Sequence, residues 1–222
     1  VYDGQMNRYL RGRAEQSREV TVLDVGGQPY IAYRKGALAM LILRDHIGEE
    51  RVNAALRRTI EKHRDTGPPF ATSRDLYAEL RAATPDSLHT LLEDLFETIT
   101  LWDVRTEEAT VEPTGNGEYR VTIDVVARKI RADSVGNETE VAMDDLVEIG
   151  VFAPGDGGGV GEPIYLKRHR IRNGEQSVVI TVPREPSRAG IDPYRKLFDR
   201  VRDDNVVAVE AAAPAITRRT GG

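Results

Sequence analysis

Apolar residues in roughly the first hundred positions recur with helical spacing, whereas beyond Trp102 they alternate with polar ones. The run Tyr33-Arg34-Lys35-Gly36-Ala37-Leu38-Ala39-Met40-Leu41-Ile42-Leu43 is rich in helix formers and apolar on every side. It predicts a helix buried all round, which Gly48 stops. Val52, Ala55, Leu56 and Ile60 then fall at i, i+3, i+4 and i+8, with Glu49, Arg51, Arg57 and Arg58 on the opposite face, so an amphipathic helix is expected to lie on the buried one. Thr72-Ser73-Arg74-Asp75 sets a hydroxyl three residues before a carboxylate, so that each side chain can accept the other's unpaired backbone N–H. This capping-box variant predicts the start of a third helix carrying Leu76, Leu80 and Ala83. Pro85 ends that helix or begins the next, in which Leu88, Leu91, Leu92, Leu95, Phe96 and Ile99 repeat one helical face. A fourth helix is therefore expected, with the helical region ending near Thr100.

Tyr119, Val121, Ile123 and Val125 alternate with Arg120, Thr122 and Asp124, the pattern of a half-buried strand, behind the turn signal Gly115-Asn116-Gly117. Similar runs lie at Ala109 to Glu112, Leu146 to Phe152, Ile164 to Ile171, Ser177 to Val182 and Asn205 to Glu210. They predict roughly six or seven antiparallel strands separated by Gly- and Pro-rich turns. About 100 residues of short strands is the size of an immunoglobulin-like sandwich. The expectation is thus an α+β chain: an all-helical lobe over residues 1–103, an antiparallel immunoglobulin-like β-sandwich over 104–210, and an unpatterned tail at 211–222.

Charge and composition narrow the function classes. Lys and Arg number 31 against 36 Asp and Glu, a net charge of −5, which suits a soluble globular protein. It argues against a nucleic-acid surface, because phosphate binding needs clustered cations. The absence of cysteine removes disulfides, thiolate zinc sites and thiol nucleophiles together. The longest apolar run, Ala37 to Leu43, has seven residues, far short of the roughly 20 of a membrane-spanning helix. The sequence opens on Val1-Tyr2-Asp3-Gly4, with neither an initiator Met nor a targeting pattern, and is read as a piece of a longer protein.

Most candidate chemistry is weak. His46, His63, His89 and His169 have no second His or Glu at metal-ligand spacing, and are read as solvated or capping side chains. The stretch Gly155-Asp156-Gly157-Gly158-Gly159-Val160-Gly161 lacks the Lys-Ser or Lys-Thr of a phosphate loop and reads as a hairpin loop. Asp203-Asp204-Asn205, with Asp192 and Asp199 nearby, lacks the ordered donors of a calcium loop and reads as an acidic turn. Tyr30 and Tyr33, three apart ahead of the buried helix, are expected to pack at its entrance with their hydroxyls reaching water.

Tyr33-Arg34-Lys35-Gly36-Ala37 before an apolar helix, then Ile47-Gly48-Glu49, an amphipathic helix and Thr72-Ser73-Arg74-Asp75-Leu76, resembles the downstream part of the catalytic domain of aminopeptidase N-type zinc metallopeptidases, the gluzincins. Arg8-Tyr9-Leu10-Arg11-Gly12-Arg13, Pro85-Asp86-Ser87-Leu88, Glu93 to Leu101 and Ala189-Gly190-Ile191-Asp192-Pro193-Tyr194 extend the likeness from about Arg8 to about Asn205. It is strongest to bacterial proteins that fuse such a domain behind an ABC transporter permease.

The resemblance implies that Tyr33 matches the family's active-site tyrosine, whose phenol donates a hydrogen bond to the oxyanion formed when zinc-bound water attacks the peptide carbonyl. A phenol, with an ordinary pKa near 10, can stabilise that charge while keeping its proton. The family's His-Glu-x-x-His zinc motif and its Gly-x-Met-Glu-Asn-like amine-binding segment do not occur in this chain; in the family both lie upstream of the tyrosine. The resemblance further implies a peptide substrate, upstream peptidase and permease portions of the same chain, an ABC ATPase subunit as partner, and a soluble domain of a bacterial inner-membrane protein. The alternative reading is a non-catalytic interaction or scaffolding module of a membrane transporter. Because a catalytic zinc needs three protein ligands held together, this chain by itself is expected to bind no zinc tightly and to hydrolyse no aminoacyl anilide. Metal analysis after chelator-free purification, with an anilide assay alongside, checks this; near-stoichiometric zinc with turnover would refute it.

Overall fold

The computed structural model describes residues 2–65, 67–155 and 160–212. Among them, helices α1 (Tyr2–Glu15), α2 (Gly36–Ile47), α3 (Glu49–His63), α4 (Ser73–Ala83) and α5 (His89–Phe96) precede nine strands. These are β1 (Ile99–Pro113), β2 (Tyr119–Ala132), β3 (Glu138–Val141), β4 (Asp144–Pro154), β5 (Val160–Arg172), β6 (Gly174–Val182), β7 (Arg188–Ile191), β8 (Val206–Ala208) and β9 (Glu210–Ala211). The fold is α+β, with helices first and strands after. One sheet has the order β3-β2-β1-β9 with β6 also on β2, and the other has β5-β4-β7-β8. β2 pairs antiparallel with β3 and β6, β4 with β5 and β7, and β7 with β8, whereas β1 and β9 run parallel.

The chain forms two compact units that interleave along the sequence. Of the described residues, the first holds those within 2–102, 129–141 and 194–200, and the second those within 103–128, 142–193 and 201–212.

In the first unit the predicted helix signals act locally. Thr72 Oγ1 accepts the Asp75 N–H and Asp75 Oδ2 accepts the Thr72 N–H at 2.7 Å, a complete capping box at the start of α4. Hydrogen bonds from Thr72, first from its hydroxyl, hold the Asp75 carboxyl below its ordinary value. Gly48, at φ 90°, closes α2 in a conformation that costs a side chain dearly. Of the face expected on α3, Val52 and Ala55 are buried while Ile60 stands in solvent.

Three expectations require correction. The fourth helical face stops at Phe96, and Ile99 opens β1 instead. Its spacing from Phe96 fits a helix, but Thr98, Ile99 and Thr100 are all β-branched and favour extended backbone. A further helix, α1, precedes the expected four. It shows little apolar pattern because it carries Gly4 and Gly12 and buries only Met6 and Tyr9. Gly12 is required by close approach: a Cβ there would lie 2.4 Å from that of Tyr30, whose ring stacks on Tyr9. Ala211, expected in the unpatterned tail, belongs to β9, and that tail from 213 lies outside the described residues, as do residues 156–159 of the glycine-rich stretch.

A buried carboxylate holds 129–141 in the first unit. Asp94 on α5 is fully buried and is ion-paired with Lys129 of β2, itself only 1% exposed. Asp94 Oδ1 also accepts from Thr100 Oγ1 and Arg131 Nη2, each at 3.1 Å. The Lys129 ammonium lies 5.6 Å from the centre of the Trp102 ring. Trp102 in turn donates its backbone N–H to Phe198 O at 3.0 Å, which ties 194–200 into the same core.

In the second unit, the turn read as acidic serves as a backbone junction. Thr106 Oγ1 of β1 donates to Asn205 O at 2.7 Å and accepts the Ile191 N–H of β7 at 3.1 Å, while Asn205 Nδ2 donates to Asp192 O.

Removing one partner of a buried ion pair leaves the other charge uncompensated, at a typical cost of about 3–5 kcal/mol. Asp94→Ala is therefore expected to destabilise the protein by about that amount in denaturant titration, and the double variant Asp94→Leu/Lys129→Met to recover much of it. An Asp94→Ala loss below about 1 kcal/mol would contradict this account.

Candidate functional site

The segment carrying Tyr33 is a turn of unusual register. Ile31–Lys35 forms a single π-helical turn, closed by the Gly36 N–H on Ile31 O, and it runs directly into α2. Such a turn holds one more residue than an α turn and occurs mostly as an isolated insertion, often at functional sites. Its side chains separate sharply. Ile31 and Lys35 are fully buried, whereas the Tyr33 ring is 71% exposed.

The sequence reading placed both tyrosines in the packing at the helix entrance; they differ instead. Tyr30 packs on Tyr9, with ring centroids 6.3 Å apart, and its hydroxyl donates to Arg18 O at 3.3 Å. Tyr33 has no such place, because the inward positions of the turn are taken by Ile31 and Lys35.

Both ends of the turn are fastened. Upstream, Gln28 Nε2 donates to Arg18 O at 2.9 Å, and Gln28 O accepts the N–H groups of Ile31 and Ala32 at 3.1 Å. Beside Tyr33, Arg34 Nη1 donates to Gln5 Oε1 on α1 at 3.0 Å. Downstream, Lys35 Nζ donates to Glu19 Oε1 at 2.9 Å. Glu19 is only 6% exposed and also accepts from Tyr9 OH and Arg13 Nε, each at 2.7 Å. The Lys35 ammonium lies 5.1 Å from the Tyr9 ring centre and 5.7 Å from that of Phe198, so aromatic faces supply further stabilisation. Glu138 joins Arg13 at 3.5 Å to Arg200 at 2.9 Å and extends the network outward.

The ionisation of this group follows from its burial. Burial pushes the Glu19 carboxyl up, but Lys35 and the donors on both oxygens outweigh it and hold the carboxyl below its ordinary value. Burial lowers the Lys35 ammonium more than Glu19 raises it. Burial and then the Glu19 charge push the Tyr9 hydroxyl well above the usual phenol value, so it stays a donor.

An apolar cleft of about 210 Å³ opens alongside, lined by Ala32, Gly36 and Met40 together with Leu76, Leu80 and Phe96 among others. The histidines are elsewhere. His46 Nδ1 donates to Ile42 O and His89 Nε2 to Thr84 O, His63 lies 3.9 Å from Asp75, and His169 in the second unit is 2.7 Å from Tyr165 OH. Among the described residues, no group of three or more His, Cys, Asp or Glu is arranged to hold a metal ion. No family model matches the sequence, and no similar curated protein is found.

Sequence reasoning gave no role to Glu19. It lies in an irregular segment and meets Lys35 16 positions away, so no local pattern marks it.

The direction of the Glu19 shift sets a pH dependence. Between its lowered native value and the ordinary carboxylate value near 4.3, the unfolded state binds more protons. The stability supplied by Glu19 is therefore present above about pH 4.3 and is lost as pH falls through the native value. Glu19→Gln is expected to cost about 3–5 kcal/mol at pH 7 by leaving Lys35 charged and buried. The melting-temperature gap between it and the wild type should close as pH is lowered towards 3. A gap independent of pH would show that Glu19 is not the titrating support of Lys35.

Proposed function

We propose that this chain is the C-terminal part of an aminopeptidase N-type zinc metallopeptidase domain that hydrolyses peptides, with Tyr33 stabilising the tetrahedral oxyanion. The same reading makes the strands an immunoglobulin-like sandwich and attaches the domain to an ABC transporter permease of a bacterial inner membrane. The observation that carries it is the pairing of an exposed side chain with a fastened backbone: Tyr33 is 71% exposed on a turn whose first and last residues, Ile31 and Lys35, are buried and whose Arg34 and Lys35 are hydrogen-bonded to Gln5 and Glu19. A tyrosine serving only packing gains nothing from such a placement. A hydrogen-bond donor gains a backbone anchor of fixed direction, and donors placed in advance act in catalysis because less reorganisation is needed when charge develops.

The part of this chain in the reaction is that of the donor alone. The Tyr33 hydroxyl gives a hydrogen bond to the oxygen on which negative charge appears and keeps its proton. On this reading the zinc belongs to a His-Glu-x-x-His motif that does not occur in this sequence.

In the complete protein, Tyr33→Phe deletes the donor and little else, since the ring is mostly in solvent. Loss of one oxyanion donor lowers kcat by roughly 10² to 10³, about 2.7 to 4 kcal/mol, with KM much less affected because the bond is made mainly in the transition state. The melting temperature is expected to stay close to that of the wild type. Steady-state kinetics on aminoacyl anilides, with zinc content measured in both proteins, checks this; a Phe variant with near-normal kcat removes Tyr33 from the mechanism.

A further inference from the structure

We infer that Glu19 is a positioning residue for Tyr33, acting through Lys35, and that it works by locking the 31–35 turn in its π register. The inference rests on the reading of Tyr33 as the oxyanion donor.

The heading of Tyr33 depends on which bond closes the turn. With the Gly36 N–H on Ile31 O, five residues fill the turn. If the same N–H bonded Ala32 O, the turn would be α-helical, and residues ahead of it would rotate by roughly 100° against α2, the step of one residue. α2 cannot follow that rotation, because Leu38, Ala39, Ile42 and Leu43 are buried. The π register is the rarer one and needs something to hold it.

Lys35 is placed to do so. It is the last residue of the turn, two positions after Tyr33, and its ammonium has no exposure at all. A buried cation cannot leave its counter-ion for water, so Lys35 must stay where Glu19 Oε1 lies, 2.9 Å from Nζ. Glu19 is itself immobile, with Oε1 on Tyr9 OH, Oε2 on Arg13 Nε, and its own N–H on Ser134 O at 2.9 Å. The carboxylate thus pins the downstream end of the turn, while Gln28 and Arg34 hold the rest. No contact between Glu19 and substrate is implied.

The test uses Lys35→Met, which keeps the stem and leaves Glu19 with two donors. Its crystal structure is expected to show the Gly36 N–H on Ala32 O and Tyr33 turned away from its wild-type heading. In the complete protein, kcat on an aminoacyl anilide is expected to fall at least tenfold with KM within twofold. Lys35→Met should add no further loss to Tyr33→Phe, a coupling that general loss of stability would not produce. Glu19→Gln, which preserves shape, serves where the Met variant fails to fold, with the same outcomes expected. A variant that keeps the Ile31–Gly36 bond and the Tyr33 heading overturns the inference, as does a kcat loss that multiplies with that of Tyr33→Phe. If Tyr33→Phe alone leaves turnover unchanged, the oxyanion reading fails, and the variant structure still decides whether Glu19 and Lys35 set the register.

Discussion

An ammonium with no access to water must have its counter-charge brought to it, and much of the first unit is arranged around that requirement at Lys35. Glu19 meets it, and its other hydrogen bonds recruit two further parts of the chain. Tyr9 and Arg13 bring α1, while the Glu19 N–H on Ser134 O brings the segment between β2 and β3. Phe198, edge-on to Tyr9 with ring centres 5.5 Å apart, brings 194–200. Segments far apart in the sequence therefore meet at one ion pair because none of its members can be satisfied locally.

Asp94 repeats this logic a short way along the same unit. It too is a buried carboxylate, here on helix α5, and it binds residues that return much later in the chain, Lys129 and Arg131. Buried ion pairs contribute little net stability compared with apolar packing, but a partner lost from one is costly. Any arrangement that separates Asp94 from Lys129 is therefore unfavourable. This explains how a strand as long as β2 can have its last residues assigned to the helical unit while its first residues pair with β6 in the other.

The same constraint bears on the proposed role of Tyr33. The turn at 31–35 is fixed by residues that point inward, and its one large apolar side chain in solvent is the tyrosine. The backbone that carries the proposed donor is thus fixed in advance, which is the part of a preorganised site that this turn supplies.

The helices from α2 to α4, their stops and caps, and several of the strands could be read from the sequence, because each depends on interactions within a few residues. Gly48 acts through its own φ, Thr72 and Asp75 cap each other across three positions, and the alternation from Tyr119 to Val125 is the pleat itself. Tyr33 could be singled out only by its motif. What needed the tertiary structure was everything fixed by partners distant in the chain. α1 is stabilised by Tyr30 fitting over Gly12 and by Glu19, not by its own weak pattern, and the turn that carries Tyr33 takes a π register that no local propensity marks. Local patterns determine which segments can be helix or strand. The pairing of Lys35 with Glu19 and of Asp94 with Lys129 was decided only in three dimensions, because the cost of a buried charge depends on what surrounds it and not on its neighbours in sequence.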